Sequence, residues 1–287
     1  MPVRCGFIGL GIMGKALAGN LAPKGLPTIV YDIDEAAMHE IVAGGAEPAR
    51  SIREVAQNAD VIGICVPADS HVRDVLCGDE GVFAHAAVGA VVAIHSTVHP
   101  ATIQEMAAEG ASRGVSVLEV PVAGGPVRAA KGDAYYMVSG DEPAYEKARP
   151  YLEAAAGRIT FTGAFGKAAK LKLALNVLTN LSFAASLEAM LLAKAVGLPQ
   201  ELFEEGGQAT TMLNALHLQY LTPYKMPEAA RRSADFQAYL RGRMEIARKD
   251  LGLALQMAQD HGIAMPVTGL VTQLLAKVYG VYDDALR

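Results

Sequence analysis

Short apolar runs of β character alternate with helical patterns through the first half of the chain. Residues 3–8, 28–31, 61–66, 91–94, 116–120 and 134–138 read as strands. Segments of helical period, such as residues 12–21 and 35–43, lie between several of them. Parallel neighbours need a crossover, and a helix supplies it, so this alternation predicts βαβ units and a largely parallel sheet. Pro67, Pro100 and Gly140 punctuate the joints.

After about residue 163 the strand signals stop. Residues 167–196 read as one long helix, apolar on nearly every face, which predicts a place inside a core. Gly197 and Pro199 give it a stop. Residues 239–261 and 267–278 carry further helical patterns. The expected architecture is α/β over residues 1–163, followed by an all-α domain over residues 164–287 that the long helix enters.

Composition narrows the setting. The chain has 287 residues, 52% of them apolar and 19% charged, with a formal net charge of -5. That is enough for a large core and argues against disorder. Charge is spread without long runs of one sign, so neither a nucleic-acid stripe nor a polybasic membrane patch is expected. The most apolar stretch carries Lys172, Asn176, Asn180, Glu188 and Lys194, too much polarity for a membrane span. Cys5, Cys65 and Cys77 form an odd set without CxxC spacing and read as reduced thiols. The apolar run 5–10 ends in a glycine loop and not a cleavage site, so a cytoplasmic protein is expected.

Gly9-Leu10-Gly11-Ile12-Met13-Gly14 is a GxGxxG. Its context gives it weight, because it follows a strand and opens a helix. Gly9 permits the tight turn, Gly11 admits a pyrophosphate to the backbone, and Gly14 lets helix and strand pack closely. The helix N-terminus offers free N–H groups to the phosphates. Asp32 ends the second strand, where an acid binds the ribose hydroxyls and repels a 2′-phosphate. A Rossmann domain that prefers NAD over NADP is expected.

Four motifs in order resemble the β-hydroxyacid dehydrogenases, the family of 3-hydroxyisobutyrate dehydrogenase and tartronate semialdehyde reductase. They are residues 6–14, Pro121-Val122-Ala123-Gly124-Gly125, residues 163–176 and Lys249-Asp250-Leu251. The resemblance implies hydride transfer between nicotinamide and the hydroxyl-bearing carbon of a 3-hydroxy acid, or the carbonyl of its semialdehyde. It makes Lys172 the general acid/base and Asn176 its partner; residues four apart share a helix face. A lysine pKa of about 10.4 is high for a base near neutrality, and burial would lower it. The resemblance further places Val66, Pro67 and Thr97 beside the nicotinamide, Lys249 at the cofactor, and Ala123, Gly124 and Gly125 at the substrate carboxylate. It implies a homo-oligomer, dimer or tetramer, with a small-molecule substrate and no metal.

Two departures stand out. The family normally has serine where this chain has Ala123, and often phenylalanine where it has Gly242. Together they predict a roomier, less polar pocket. His71 reads as a surface residue, and His95 with His99 does not make a metal pair. The competing readings are an imine or other carbonyl reductase on the same fold, and a non-catalytic NAD-binding module. Lys172 and Asp32 speak against the first, and Lys172 with Asn176 against the second.

Overall fold

The structure, a computed structural model, describes residues 2–282. The chain divides into two compact units, Met1–Lys172 and Leu173–Arg287. The division falls inside a helix, whereas the sequence reading put the boundary ahead of it.

In the first unit, strand and helix alternate: β1 (Cys5–Ile8), α1 (Ile12–Ala18), β2 (Thr28–Tyr31), α2 (Glu35–Ala43), β3 (Glu47–Pro48), α3 (Ile52–Asn58) and β4 (Val61–Ile64). Then come α4 (Asp69–Cys77), α5 (Val82–His85), β5 (Val91–Ile94), α6 (Pro100–Ser112), β6 (Ser116–Glu119) and β7 (Val122–Ala123). The unit closes with α7 (Gly125–Ala129), β8 (Ala134–Gly140), α8 (Glu142–Ala155) and β9 (Ala156–Gly163). The sheet order is β3-β2-β1-β4-β5-β6-β8-β7, with β9 paired to β8. β1 to β6 are parallel; β8 runs antiparallel to β6 and β7, and β9 parallel to β8. Order reverses at β1–β4, the switch point where open α/β sheets bind ligands. The register pairs Ile8 with Ile64, Ile64 with Ile94, and Ile94 with Glu119, so the carboxyl ends of these strands lie level.

Alternate residues of each strand point to opposite faces. Phe7 faces a core with Leu17, Ile41 and Leu152, while Ile8 faces another with Val55, Val72 and Ile103. Helices therefore cover both faces, and the strands read as unbroken apolar runs because neither face meets water.

The second unit is helical. Its elements are α9 (Lys167–Ala195, whose first turns belong to the first unit), α10 (Gln200–Ala209), α11 (Ala215–Leu221), α12 (Glu228–Arg231), α13 (Ala234–Asp260), α14 (Pro266–Gln273) and α15 (Leu275–Tyr279). Its core joins Phe183, Leu187 and Met190 of α9 to Leu240, Met244 and Leu251 of α13 and Leu275 of α15. The expectation that α9 is enclosed on all sides is overturned. Only a stripe at helical spacing is buried, and Leu178 and Leu192 are each 66% exposed. Apolar composition does not decide which face is covered.

Candidate active site

The glycine loop leaves β1 and enters α1, and each glycine has its own geometric reason. Gly9 has φ +91°, and a Cβ there would lie 2.4 Å from the Cys65 carbonyl oxygen. A Cβ on Gly14 would lie 1.9 Å from the Gly9 carbonyl oxygen, so helix and loop close up only around glycine. Nothing lies within 4 Å of a Cβ placed on exposed Gly11, which leaves open space over the helix N-terminus. A cradle of this shape fits the pyrophosphate of a dinucleotide. Leu10 is fully buried, Met13 is half-buried, and Ile12 is 70% exposed.

Asp32 follows β2 and turns back onto that loop. Its Oδ2 accepts the Leu10 amide at 2.5 Å and its Oδ1 accepts the Asp34 amide at 2.9 Å. Half-exposed, it retains lone pairs for a ribose. Half-buried Val66 follows β4, with exposed Pro67 beyond it, and half-buried Thr97 follows β5. Ser96 ties the two loops together, its Oγ accepting the Val66 amide at 2.8 Å. Sequence reasoning passed over that hydroxyl. After β6 come Ala123, Gly124 and Gly125, all half-buried, the glycines at φ +108° and +73°. The sheet thus gathers Gly9–Gly14, Asp32, Val66, Thr97 and the Ala123–Gly125 loop at the carboxyl ends of its strands.

Beneath these loops His95 is fully buried. Its Nδ1 donates to the Val120 carbonyl (3.1 Å), leaving Nε2 to accept the Tyr151 hydroxyl (2.8 Å). Its ring stacks on Phe7 and packs against Tyr136. Burial pushes its pKa down from 6.5 to about 4, with the Val120 carbonyl opposing. The folded protein therefore keeps a neutral imidazole where the unfolded chain binds a proton. Stability from this group is complete above pH 6.5 and falls toward pH 4, by about 3 kcal/mol in all. Urea unfolding should show that loss in the wild type and a flatter profile in His95→Phe; parallel profiles would refute it. His99 caps α6, its Nδ1 accepting the Ala101 amide, and His71 is exposed. Among the described residues no cluster could hold a metal.

α9 carries Lys172 and Asn176 one turn apart. Lys172 is half-buried, whereas its neighbours Lys167 and Lys170 are exposed. In the helical unit, Asn176 Nδ2 donates to Asp250 Oδ2 at 2.6 Å, and Lys249 Nζ lies 3.6 Å from Asp250 Oδ1. Asp250 is 3% exposed. The chain continues through Asn180, which donates to the Asn176 carbonyl (2.8 Å) and accepts the Tyr279 hydroxyl (2.8 Å). Asp250 orients Asn176, a role that sequence reasoning missed, because a carboxylate next to Lys249 reads as a surface pair. Lys249, expected at the cofactor, pairs with Asp250 in this unit. A Cβ on exposed Gly242 would have nothing within 4 Å.

Residues 4–163 match the family described as the NAD binding domain of 6-phosphogluconate dehydrogenase. Residues 166–285 match the family described as the NAD-binding of NADP-dependent 3-hydroxyisobutyrate dehydrogenase. The chain therefore belongs to the β-hydroxyacid dehydrogenase family. It is a nicotinamide-dependent oxidoreductase acting on the CH–OH group of hydroxy acids. It is 36% identical to an NAD-dependent L-serine dehydrogenase of Pseudomonas aeruginosa, covering 93% of this chain and 89% of that protein. It is 32% identical to a 3-hydroxyisobutyrate dehydrogenase of the same species, covering 94% of this chain and 90% of that one. A crystal structure of a 3-hydroxyisobutyrate dehydrogenase from Salmonella typhimurium is similar with a TM-score of 0.84 at 27% identity, covering 98% of this chain and 100% of that one.

Proposed function

We propose that this chain is an NAD-preferring 3-hydroxyacid dehydrogenase or semialdehyde reductase in which Lys172 is the general acid/base. One observation carries the assignment: of the three lysines opening α9, only Lys172 is sheltered from solvent and has an amide one turn on. The bound nicotinamide supplies the hydride acceptor or donor. Gly9–Gly14 and Asp32 hold the dinucleotide, with Val66, Pro67 and Thr97 toward the nicotinamide. Lys172 takes the proton of the substrate hydroxyl during oxidation and returns it during reduction. Asn176, oriented by Asp250, holds the same hydroxyl. Asp32 supports NAD over NADP, since its carboxylate repels a 2′-phosphate.

Gly124 and Gly125 provide backbone N–H groups for the substrate carboxylate, one contact fewer than a serine at 123 would allow. That difference is worth on the order of 1 kcal/mol. The missing hydroxyl at position 123 favours less polar substrates. Purified protein assayed with NAD and a graded panel, including L-serine, 3-hydroxyisobutyrate, longer 3-hydroxy acids and their esters, tests the reading. Hydroxy-acid turnover supports it, and no turnover despite NADH binding defeats it. Ala123→Ser should shift preference toward the smallest acids, lowering their KM roughly fivefold; an unchanged ratio would sink the argument from the missing hydroxyl.

The protein acts as a cytoplasmic homo-oligomer in this reading. The free thiols of Cys5 and Cys77 support a reducing compartment. Leu178 and Leu192 of α9 and Ile246 of α13, all more than half exposed, support an apolar interface. Light scattering checks the assembly, and a monomer at micromolar concentration would contradict it.

A further inference from the structure

Glu119 is an ionisable side chain deep in the fold for which the reaction has no direct use. It ends β6 and is 2% exposed. Across the sheet it is paired with Ser139 of β8, whose hydroxyl donates to its Oε2. The same oxygen accepts the Gly166 amide at 3.1 Å, and the amides of Ala168 and Ala169 also favour the charged carboxylate. These groups open α9, where four backbone N–H groups lack partners within the helix and the dipole attracts negative charge. Burial is the largest influence and, against these hydrogen bonds, holds the carboxyl pKa above its ordinary value.

The placement links two parts of the site. Four residues after Glu119, the chain reaches Ala123 and the glycines that face the substrate. On α9, Ala168 lies one turn before Lys172 and two before Asn176, so all three share a face. A rotation or shift of the first turn would be passed along the rigid helix to the lysine.

We infer that Glu119 is a positioning residue: its buried carboxylate locks the first turn of α9 to the strand leading into the substrate loop and so fixes where the Lys172 ammonium stands. The inference rests on the acid/base role of Lys172 proposed above. A neutral or shortened side chain loosens the first turn, and a misplacement of about 1 Å can lower turnover on the order of 10²-fold. The cofactor loop, built on β1 and β2, is untouched.

Glu119→Ala, Glu119→Gln and Glu119→Asp, made in the full chain, test it. Hydrogen exchange by mass spectrometry reads the amides of residues 166–169 without relying on activity. Steady-state kinetics with NAD and the best hydroxy acid of the panel give kcat across pH, and fluorescence titration gives NADH affinity. We expect faster exchange confined to the start of α9, a kcat loss near 10²-fold in Ala and Gln, and partial rescue in Asp. NADH affinity should hold. Wild-type kcat together with wild-type exchange at residues 166–169 in folded Ala and Gln variants would overturn the inference. So would a loss of kcat with no rescue by Asp and with faster exchange spread well beyond the start of α9, which marks a purely structural role. If Lys172→Ala stays active, the acid/base reading itself has failed; if Lys172→Ala is inactive while Glu119 variants are normal, only this inference has.

Discussion

Lys172→Ala lowers turnover by about 10²- to 10⁴-fold, the range a positioned general acid or base supplies, while NADH binds nearly as before. The separation follows from the architecture: the dinucleotide cradle is built on the loops after β1 and β2, and Lys172 stands on α9. Lys172→Arg keeps the positive charge but cannot give up its proton near neutrality, so it should be almost as inactive as Ala. If charge alone mattered, Arg would restore activity. If Lys172 contributed only substrate binding held equally in ground and transition states, KM would rise and kcat would stay. Steady-state kinetics with a fluorescence titration of NADH separate these cases, and near-wild-type turnover in Lys172→Ala would remove the lysine from the mechanism.

Asp32→Ser should weaken NADH binding by roughly 10- to 150-fold, since a hydrogen bond to a charged group is worth about 1.5–3 kcal/mol. Two effects act together. The ribose loses its charged acceptor, and the Leu10 amide, held at 2.5 Å by Asp32 Oδ2, loses the contact that shapes the glycine loop. NADPH should lose far less, because the carboxylate that repels its 2′-phosphate is gone. The ratio of the two affinities, measured by titration, is the readout. A variant that binds NADH as tightly as wild type would show that Asp32 is not the ribose acceptor.

The parts of this site that were legible in the sequence are local ones. Gly9, Gly11, Gly14 and Asp32 announce themselves because the turn, the close approach and the strand end each need a particular residue type within a short span. Lys172 and Asn176 are legible as a helical pair. Asp250 and Glu119 were not, since their meaning comes from partners 74 and 47 positions away. Strand β9 escaped because it follows α8 with no turn between them, and β3 and β7 are two residues long. The expected helix over 267–278 breaks at Leu274 into α14 and α15, with no glycine or proline to mark the place. The exposed faces of α9 were hidden for a different reason: a composition that is apolar all round carries no phase.

Ala123 pairs with Tyr135 through its backbone, and its small side chain is only half-buried. Gly242 sits on an exposed helix surface with empty space above it. Neither position is needed to hold its unit together. If Ala123 faces the substrate as proposed, selection for a new substrate and selection for a foldable chain act on different residues there. A lineage built on this architecture can change what it oxidises by small steps at such positions, each nearly neutral for folding, without first acquiring compensating changes in the core.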